Sequence, residues 1–147
     1  MAYLLDVNIL IARSDRSHAN HKLVTDWFLR NFEALKMTCP IVENGFVRIF
    51  GNPNYPNGPG TIEKATRFPK AIHQQPTHRF VADDISLATA KVFESFENVG
   101  SKHLTDVYLL GLAAKQGLTF VRLDSKIRDG AVKNGTDSLE VIEIPTK

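Results

Sequence analysis

The sequence predicts an α/β fold built on a central, mostly parallel β-sheet. Two short apolar segments, around Leu4 and around Val121, are typical of parallel strands that helices cover on both faces. Much of the chain between them repeats apolar residues at helical spacing. The chain has 147 residues, of which 43% are hydrophobic, and this suits one compact domain spanning residues 1–147.

The composition of the chain indicates its cellular compartment but not its function. Lys and Arg total 18 and Asp and Glu total 16, and the net charge of +2 argues neither for nor against a nucleic-acid partner. The single cysteine, Cys39, excludes an intramolecular disulfide and fits a reducing compartment. The Met-Ala start lacks a basic and apolar leader, and no apolar run has the length of a membrane span. We therefore expect a soluble, cytoplasmic protein.

Asp6 interrupts the apolar run that opens the chain. An ionised carboxylate among Leu, Val and Ile is costly to bury unless a proton, a cation or a metal neutralises it. Ligands of open α/β sheets bind outside the carboxyl ends of the strands, and Asp6 falls at such an end. Asp6 is therefore the first candidate site residue.

The next segments predict a helical turn at residues 9–13, an amphipathic helix near residues 18–35 and a short strand at residues 37–39. His18 and His21 could form a metal pair, but a solvated helix start is the favoured interpretation because no further Cys or His follows at ligand spacing. Pro40 suits the first position of an apolar helix. Glu43 in its opening turns either complements the helix dipole or belongs to a site.

The middle of the chain is rich in turn and capping residues. A Gly-, Pro- and Asn-rich loop covers residues 51–60, and Thr61 can cap a helix that Pro69 should end or kink. Residues 77–82 predict an extended segment, and residues 85–96 predict another helix. Asp83 and Asp84 precede that helix, where caps are more common than metal ligands.

The last third predicts a buried helix, two strands and a short helix. Thr105 suits the helix cap, Asp106 the first turn, and Gly111 a close packing contact. The strand at residues 119–123 ends in Asp124. A short helix at residues 125–132, a turn at residues 134–135 and a final strand at residues 139–144 follow.

Four carboxylates thus lie at strand ends or in the first turns of helices: Asp6, Glu43, Asp106 and Asp124. In a parallel sheet these positions converge on one edge, where the acids would repel one another unless protons or metal ions intervened. Oxygen ligands without Cys or several His favour Mg²⁺ or Mn²⁺. Metal ions held by carboxylates are used widely in phosphoryl chemistry.

These segments resemble the acidic signature of the PIN-domain family, and the whole chain is most similar to its VapC-type toxin ribonucleases. The resemblance rests on Leu4-Leu5-Asp6-Val7-Asn8, the Thr38-Cys39-Pro40 segment with the Glu43 helix, Thr105-Asp106-Val107 and Val121-Arg122-Leu123-Asp124. It implies a PIN-like three-layer α/β/α domain that hydrolyses RNA, binds a cognate antitoxin and forms a homodimer. It further implies that Asp6, Glu43, Asp106 and Asp124 bind Mg²⁺ or Mn²⁺, supported by Asn8 and Thr105.

Three other classes compete with the metal nuclease. A phosphate-receiving signalling module usually has paired acids after its first strand, and a dehalogenase-type phosphatase needs Asp-x-Asp there, whereas Asp6 is followed by Val7 and Asn8. An amide cannot serve as the general acid of such a phosphatase. A catalytically inactive RNA-binding relative remains the main alternative. Basic residues could hold phosphates at the rim of the site: Arg48, Lys64, Arg67, Lys70, Arg79, Lys102, Lys126 and Arg128.

Overall fold

A computed structural model describes residues 1–123, 127 and 129–145 of the chain. Within them a sheet of five strands, all parallel, has the order β3-β2-β1-β4-β5. The predicted α/β class with a parallel sheet is confirmed. The strands are β1 (Ala2–Leu5), β2 (Leu35–Thr38), β3 (His78–Phe80), β4 (Thr119–Leu123) and β5 (Leu139–Ile142).

Helices connect these strands. Helix α1 packs against α2, α3 and β4, whereas α6 packs against β1 and β4. No helix in the described part of the chain is long and apolar enough to cross a membrane. The helices are α1 (Val7–Ser14), α2 (His21–Arg30), α3 (Pro40–Phe50), α4 (Ile62–Ala65), α5 (Arg67–His73) and α6 (Leu104–Gln116), with 3₁₀ turns at Ser101–His103, Asp129–Ala131 and Thr136–Ser138.

The centre of the sheet is buried on both faces. Leu4 and Leu5 of β1 and Phe120 and Val121 of β4 are at most 1% exposed, as expected for strands between two helical layers. The register pairs Leu5 with Val121, so that residues just beyond β1 lie beside the end of β4. The chain runs from β1 outward to β3 and then returns to the other side of β1, which makes the β1–β4 boundary the point where the strand order reverses.

Two predictions about helices were wrong, and one was right in part. The helix expected to begin at Thr61 is divided at Thr66 into α4 and α5, so the interruption lies before Pro69. Pro69 itself lies in the first turn of α5 and does not end it, because a proline in a first turn removes no helical hydrogen bond. Helix α6 begins at Leu104 after a 3₁₀ turn, so its N-cap is His103 and not Thr105. Residues 85–96 form turns and a bridge between Phe93 and Val132, in place of the predicted helix.

Tertiary contacts account for the missing helix. The Glu94 N–H donates to the Ala131 carbonyl oxygen and the Lys133 N–H donates to the Val92 carbonyl oxygen, at 2.8 and 2.7 Å. These bonds use backbone groups that a helix would pair internally. Ile85, Val92 and Phe93 pack against the core, whereas Leu87 and Phe96 are exposed, so the apolar spacing of this segment predicted its partial burial and not its secondary structure.

Asp83 caps a helix, but a different one from the helix predicted. Its Oδ2 accepts a hydrogen bond from the Ile41 N–H at 3.0 Å, which satisfies a backbone donor in the first turn of α3. Asp84 is exposed and forms an ion pair with Lys115, with Oδ1 and Nζ 3.3 Å apart. Neither aspartate belongs to a described cluster of potential metal ligands.

The predicted close contact at Gly111 is confirmed. A Cβ atom there would lie 2.4 and 2.6 Å from Cε1 and Cζ of Phe93, well inside van der Waals contact. The Phe93 ring therefore packs directly on the backbone of α6, and this contact replaces the helical packing predicted for residues 85–96.

We expect Gly111→Val to lower the free energy of unfolding by about 2–3 kcal/mol, because overpacking displaces the Phe93 ring. Thermal and urea unfolding measure the change, and Gln116→Val, on an exposed position of the same helix, is the matched control. Phe93→Ala in the Gly111→Val background should recover part of the loss. Equal stability of Gly111→Val and the wild type would contradict the contact.

Candidate active site

Asp6 lies directly after β1, where the chain enters α1. Its backbone N–H donates to the Val121 carbonyl oxygen at 3.1 Å, which holds it beside β4. Its Oδ1 accepts a hydrogen bond from the Val7 N–H at 2.8 Å, so the side chain caps α1. The residue is only 5% exposed. The sequence prediction of a buried carboxylate at the end of the first strand is confirmed.

Asp106 and Arg122 complete a charged group around Asp6. Asp106 lies in the first turn of α6, and its Oδ2 is 3.3 Å from Nη1 of the buried Arg122. Arg122 follows Val121, the register partner of Leu5, and therefore lies level with Asp6. This is the edge where the strand order reverses, and open α/β sheets bind ligands at such positions.

The surroundings of Asp6 shift its pKa. Burial raises the pKa of Asp6 from 3.8 to about 6, and the negative charge of Asp106 contributes to the same rise. Arg122 and the hydrogen bond from Val7 oppose this rise in the pKa. Burial and a like charge both disfavour the ionised form, so a cation at this edge would stabilise the two carboxylates.

Glu43 forms a separate hydrogen-bonded cluster at the end of β2. It lies in the first turn of α3, and its Oε2 accepts a hydrogen bond from the Thr38 hydroxyl at 2.5 Å. The same oxygen is 2.6 Å from Nε2 of His73. Thr38 is 1% exposed. Glu43 is therefore held in place by two polar partners as well as lying in the first turn of a helix.

His73 and His78 are the site residues that sequence reasoning missed. His78 is buried, its Nε2 is 2.8 Å from Oγ1 of Thr38, and its ring centroid is 4.4 Å from that of His73. Burial lowers the pKa of His78, and the neighbouring His73 lowers it further. The available signal was a histidine in a segment predicted to be extended, but nothing in the sequence links it to Glu43.

The described contacts of the predicted acids fall into two groups. Asp6 and Asp106 share one charged group, whereas Glu43 binds Thr38 and His73. Among the described residues, the set of three potential ligands whose atoms all lie within 4.8 Å of one another is Glu43, His73 and His78. Asp124 lies outside the described residues. The assignment of all four acids to one site stays a prediction.

The predicted supporting residues are on the surface. Asn8 is exposed in the first turn of α1, and Thr105 is exposed in the first turn of α6, each close in sequence to the acid that it is predicted to support.

His18 and His21 make local contacts instead of a metal pair: Nδ1 of His18 accepts from the Asn20 N–H, and Nδ1 of His21 is 2.7 Å from the Ala12 carbonyl oxygen.

Comparison of the sequence with known proteins identifies relatives of this chain. No protein-family model matches the chain. It is, however, 36% identical to ribonuclease VapC38 of Mycobacterium tuberculosis over 141 residues, covering 96% of the chain and 98% of the relative. Ribonuclease VapC44 of the same species is 34% identical over 92% of the chain and 95% of the relative, and ribonuclease VapC39 is 31% identical over 89% and 94%.

The chain belongs to the VapC ribonuclease family.

Family membership confirms the resemblance drawn from the acidic segments, and the parallel sheet agrees with a PIN-like α/β/α fold. The divalent ion that such a VapC protein implies can be tested against the residues present. Asp6 and Asp106 fit it. The ionised form of a nearly buried carboxylate beside a second carboxylate is disfavoured, as the raised pKa of Asp6 indicates. A hard cation bound to the carboxylate oxygens would remove that cost. These two acids would hold the ion.

Proposed function

We propose that this VapC-family protein is an endoribonuclease dependent on Mg²⁺ or Mn²⁺ and is the toxin of a toxin–antitoxin pair, with residues 1–147 forming one domain. The observation that carries the proposal is the carboxylate pair of Asp6 and Asp106 at the reversal point of the sheet. Similarity to VapC ribonucleases along almost the whole chain supports the same activity. The reaction is hydrolysis of an RNA phosphodiester bond by water.

The chain's own residues account for binding and charge at this edge. A bound divalent ion would polarise a phosphoryl oxygen and lower the pKa of a bound water. Asp6, buried and held by Val7, supplies a fixed negative ligand, and Asp106 supplies a second one from α6. Arg122 contributes a fixed positive charge beside Asp106, which offsets part of the repulsion between the acids and a phosphate.

An open cleft beside Glu43 offers a path for the RNA backbone. The cleft has a volume of about 440 Å³ and is lined by Glu43, Pro69, Lys70, His73 and Gln74. Lys70 is exposed there and can neutralise a phosphate. Arg79 bonds the carbonyl oxygens of Pro76 and His78. Other predicted rim residues on the described surface are Arg48, Lys64, Arg67 and Lys102, whereas Lys126 and Arg128 lie outside the described residues.

Removing divalent ions should abolish RNA cleavage, because the carboxylates would then repel both one another and the phosphate. The test incubates purified protein with total RNA in excess chelator and follows cleavage by gel electrophoresis. Adding excess Mg²⁺ or Mn²⁺ should restore cleavage. Asp6→Asn protein purified in parallel reports any contaminating ribonuclease. Undiminished cleavage in chelator would overturn the metal mechanism and leave a metal-independent activity or a contaminant.

The partners follow from the family. We propose that a cognate antitoxin covers the acidic edge and that RNA is the substrate. The second predicted partner is another copy of the chain. Of the aromatic residues whose number in the sequence favours self-association, Trp27, Phe46 and Phe50 are buried in the core, and Phe28 and Phe93 pack against it, whereas Phe96 is 39% exposed. Further exposed apolar residues lie near the end of α2, where Leu29 and Phe32 are 68% and 73% exposed.

We expect the purified protein to form a homodimer, because exposed apolar side chains such as Leu29 and Phe32 lose contact with water on association. Sedimentation velocity at micromolar concentration, without the antitoxin, measures this. The Asp6→Asn variant should give the same distribution, since Asp6 is buried away from the surface. A single monomeric species across the concentration range would contradict the expectation.

A further inference from the structure

Glu43, His73 and His78 form a group of metal-ligating side chains outside the Asp6–Asp106 pair. Their ligand atoms all lie within 4.8 Å of one another. They come from three elements, α3, the end of α5 and β3, which the tertiary fold brings together. Two imidazoles and one carboxylate form a donor set different from the all-carboxylate pair. The group therefore differs from the acid pair in the chemistry of its donor atoms.

The spacing of these atoms suits a tetrahedral ion. Zinc binds His nitrogen at about 2.0–2.1 Å and carboxylate oxygen at about 2.0–2.2 Å, so tetrahedral ligand atoms lie about 3.3 Å apart. Oε2 of Glu43 and Nε2 of His73 are now 2.6 Å apart, and the whole group spans no more than 4.8 Å. Side-chain shifts of about an ångström would reach the zinc geometry.

The surroundings hold the ligands on one side and leave the other side open. Thr38 is buried, and its hydroxyl donates to Glu43 and accepts from Nε2–H of His78. This is the kind of outer contact that orients metal ligands, with Nδ1 of His78 the nitrogen that would bind the ion. His78 is buried, whereas the side chains of His73 and Glu43 are 40% and 22% exposed. The cleft that contains Lys70 opens onto these two side chains. An ion can thus enter from solvent and keep a water ligand.

We propose that Glu43, His73 and His78 bind a borderline divalent transition-metal ion, with Zn²⁺ the best match, through a ligand set that does not include Asp6 or Asp106. Two His and one Glu with an open position are a known zinc ligand set, whereas Mg²⁺ prefers oxygen ligands and water. The ion takes the place of the proton between His73 and Glu43. That proton moves to the other ring nitrogen of His73 or to solvent.

Occupancy of this site has a consequence for catalysis, which rests on the proposed function. Glu43 is predicted to serve the RNA-cleaving site, and a carboxylate bound to Zn²⁺ is no longer available there. Zn²⁺ should therefore inhibit cleavage measured in excess Mg²⁺. The binding itself depends only on the three ligands and is tested separately from activity.

The test titrates Zn²⁺ into the full chain, stripped of metal, by isothermal calorimetry. We expect one tight equivalent for the wild type. His73→Ala should bind at least about 100-fold more weakly, since even the outer contacts of metal ligands are worth about 10- to 100-fold. His18→Ala is the matched control, because His18 makes only a local bond to Asn20. Co²⁺ should give visible absorption bands of nitrogen-ligated, low-coordinate cobalt in the wild type and not in His73→Ala.

Two further variants keep the test decisive. His78→Gln should also lose binding, and circular dichroism checks that this buried position tolerates the change. If His78→Gln does not fold, His73→Ala, at an exposed position, still tests the proposal. Asp6→Asn should retain Zn²⁺ binding even though we expect it to be inactive, which separates this site from the proposed ribonuclease. Absence of micromolar Zn²⁺ binding, equal affinity in His73→Ala, or loss of binding in Asp6→Asn alone would overturn the proposal.

Discussion

Asp6→Asn is expected to lower ribonuclease activity by at least about 100-fold while leaving the fold intact, because outer contacts of metal ligands alone are worth about 10- to 100-fold and Asp6 is a proposed direct ligand. The amide keeps the shape of the carboxylate but not its charge. Its oxygen can still accept the Val7 N–H bond that caps α1, and Asn is as good an N-cap as Asp. The loss should therefore be one of ion binding and not of structure.

The same variant should be more stable than the wild type in metal-free buffer. The pKa of Asp6 is raised from 3.8 to about 6, so the folded state binds more protons than the unfolded state between these values. The contribution of Asp6 to wild-type stability should then be greatest below pH 4. It should decrease by about 2–3 kcal/mol as the pH rises from 4 through 6. Asp6→Asn lacks this fall.

Thermal unfolding in chelator between pH 4 and pH 8 measures that difference, and added Mg²⁺ should restore wild-type stability by binding the folded state.

In cells without antitoxin, the wild type should arrest growth and Asp6→Asn should not. Asp6→Asn should still co-purify with the antitoxin, because a partner that covers a broad surface does not depend on one buried carboxylate. Full toxicity of Asp6→Asn would favour the inactive binding relative, whose effect needs no cleavage.

Glu43→Gln should lower activity by about 100-fold, the upper range for groups that support a metal site. Glutamine can accept the Thr38 hydrogen bond that Glu43 accepts at 2.5 Å, so the side chain keeps its place and loses only its charge. Activity on total RNA in excess Mg²⁺, with chelator present beforehand to remove Zn²⁺, measures the effect at the cleaving site alone.

Asp84→Asn is the matched control for Glu43→Gln. Asp84 is an exposed acid whose described contact is an ion pair with Lys115, so its loss should change activity less than about twofold and stability by about 0.5 kcal/mol at most. Asp83 is a poorer control because it caps α3, the helix that carries Glu43. Equal losses in Glu43→Gln and Asp84→Asn would mean that the acids have been grouped wrongly.

Local patterns predicted most of the regular elements. The strands near Leu4, Met37 and Val121, the helix that begins at Pro40 and the Thr61 cap all follow from short-range rules, and the structure confirms them. The prediction failed at residues 85–96, where hydrogen bonds to Ala131 and Lys133 replaced helical ones. Apolar residues at helical spacing therefore do not ensure a helix where tertiary hydrogen bonds occupy the backbone.

Sequence alone determined the class of the fold from its apolar patterns and the family from the resemblance of its acidic segments. It also determined the position of Asp6, because a carboxylate at the end of an apolar strand is costly to bury unless a ligand or a cation neutralises it. Only the tertiary structure decided which acids meet. Asp6 and Asp106 converge because β1 and β4 are neighbours and α6 packs on both. Glu43 instead joins His73 and His78, which are distant from it in the chain, since β2 pairs with β3. Such contacts depend on strand order, which local patterns do not encode.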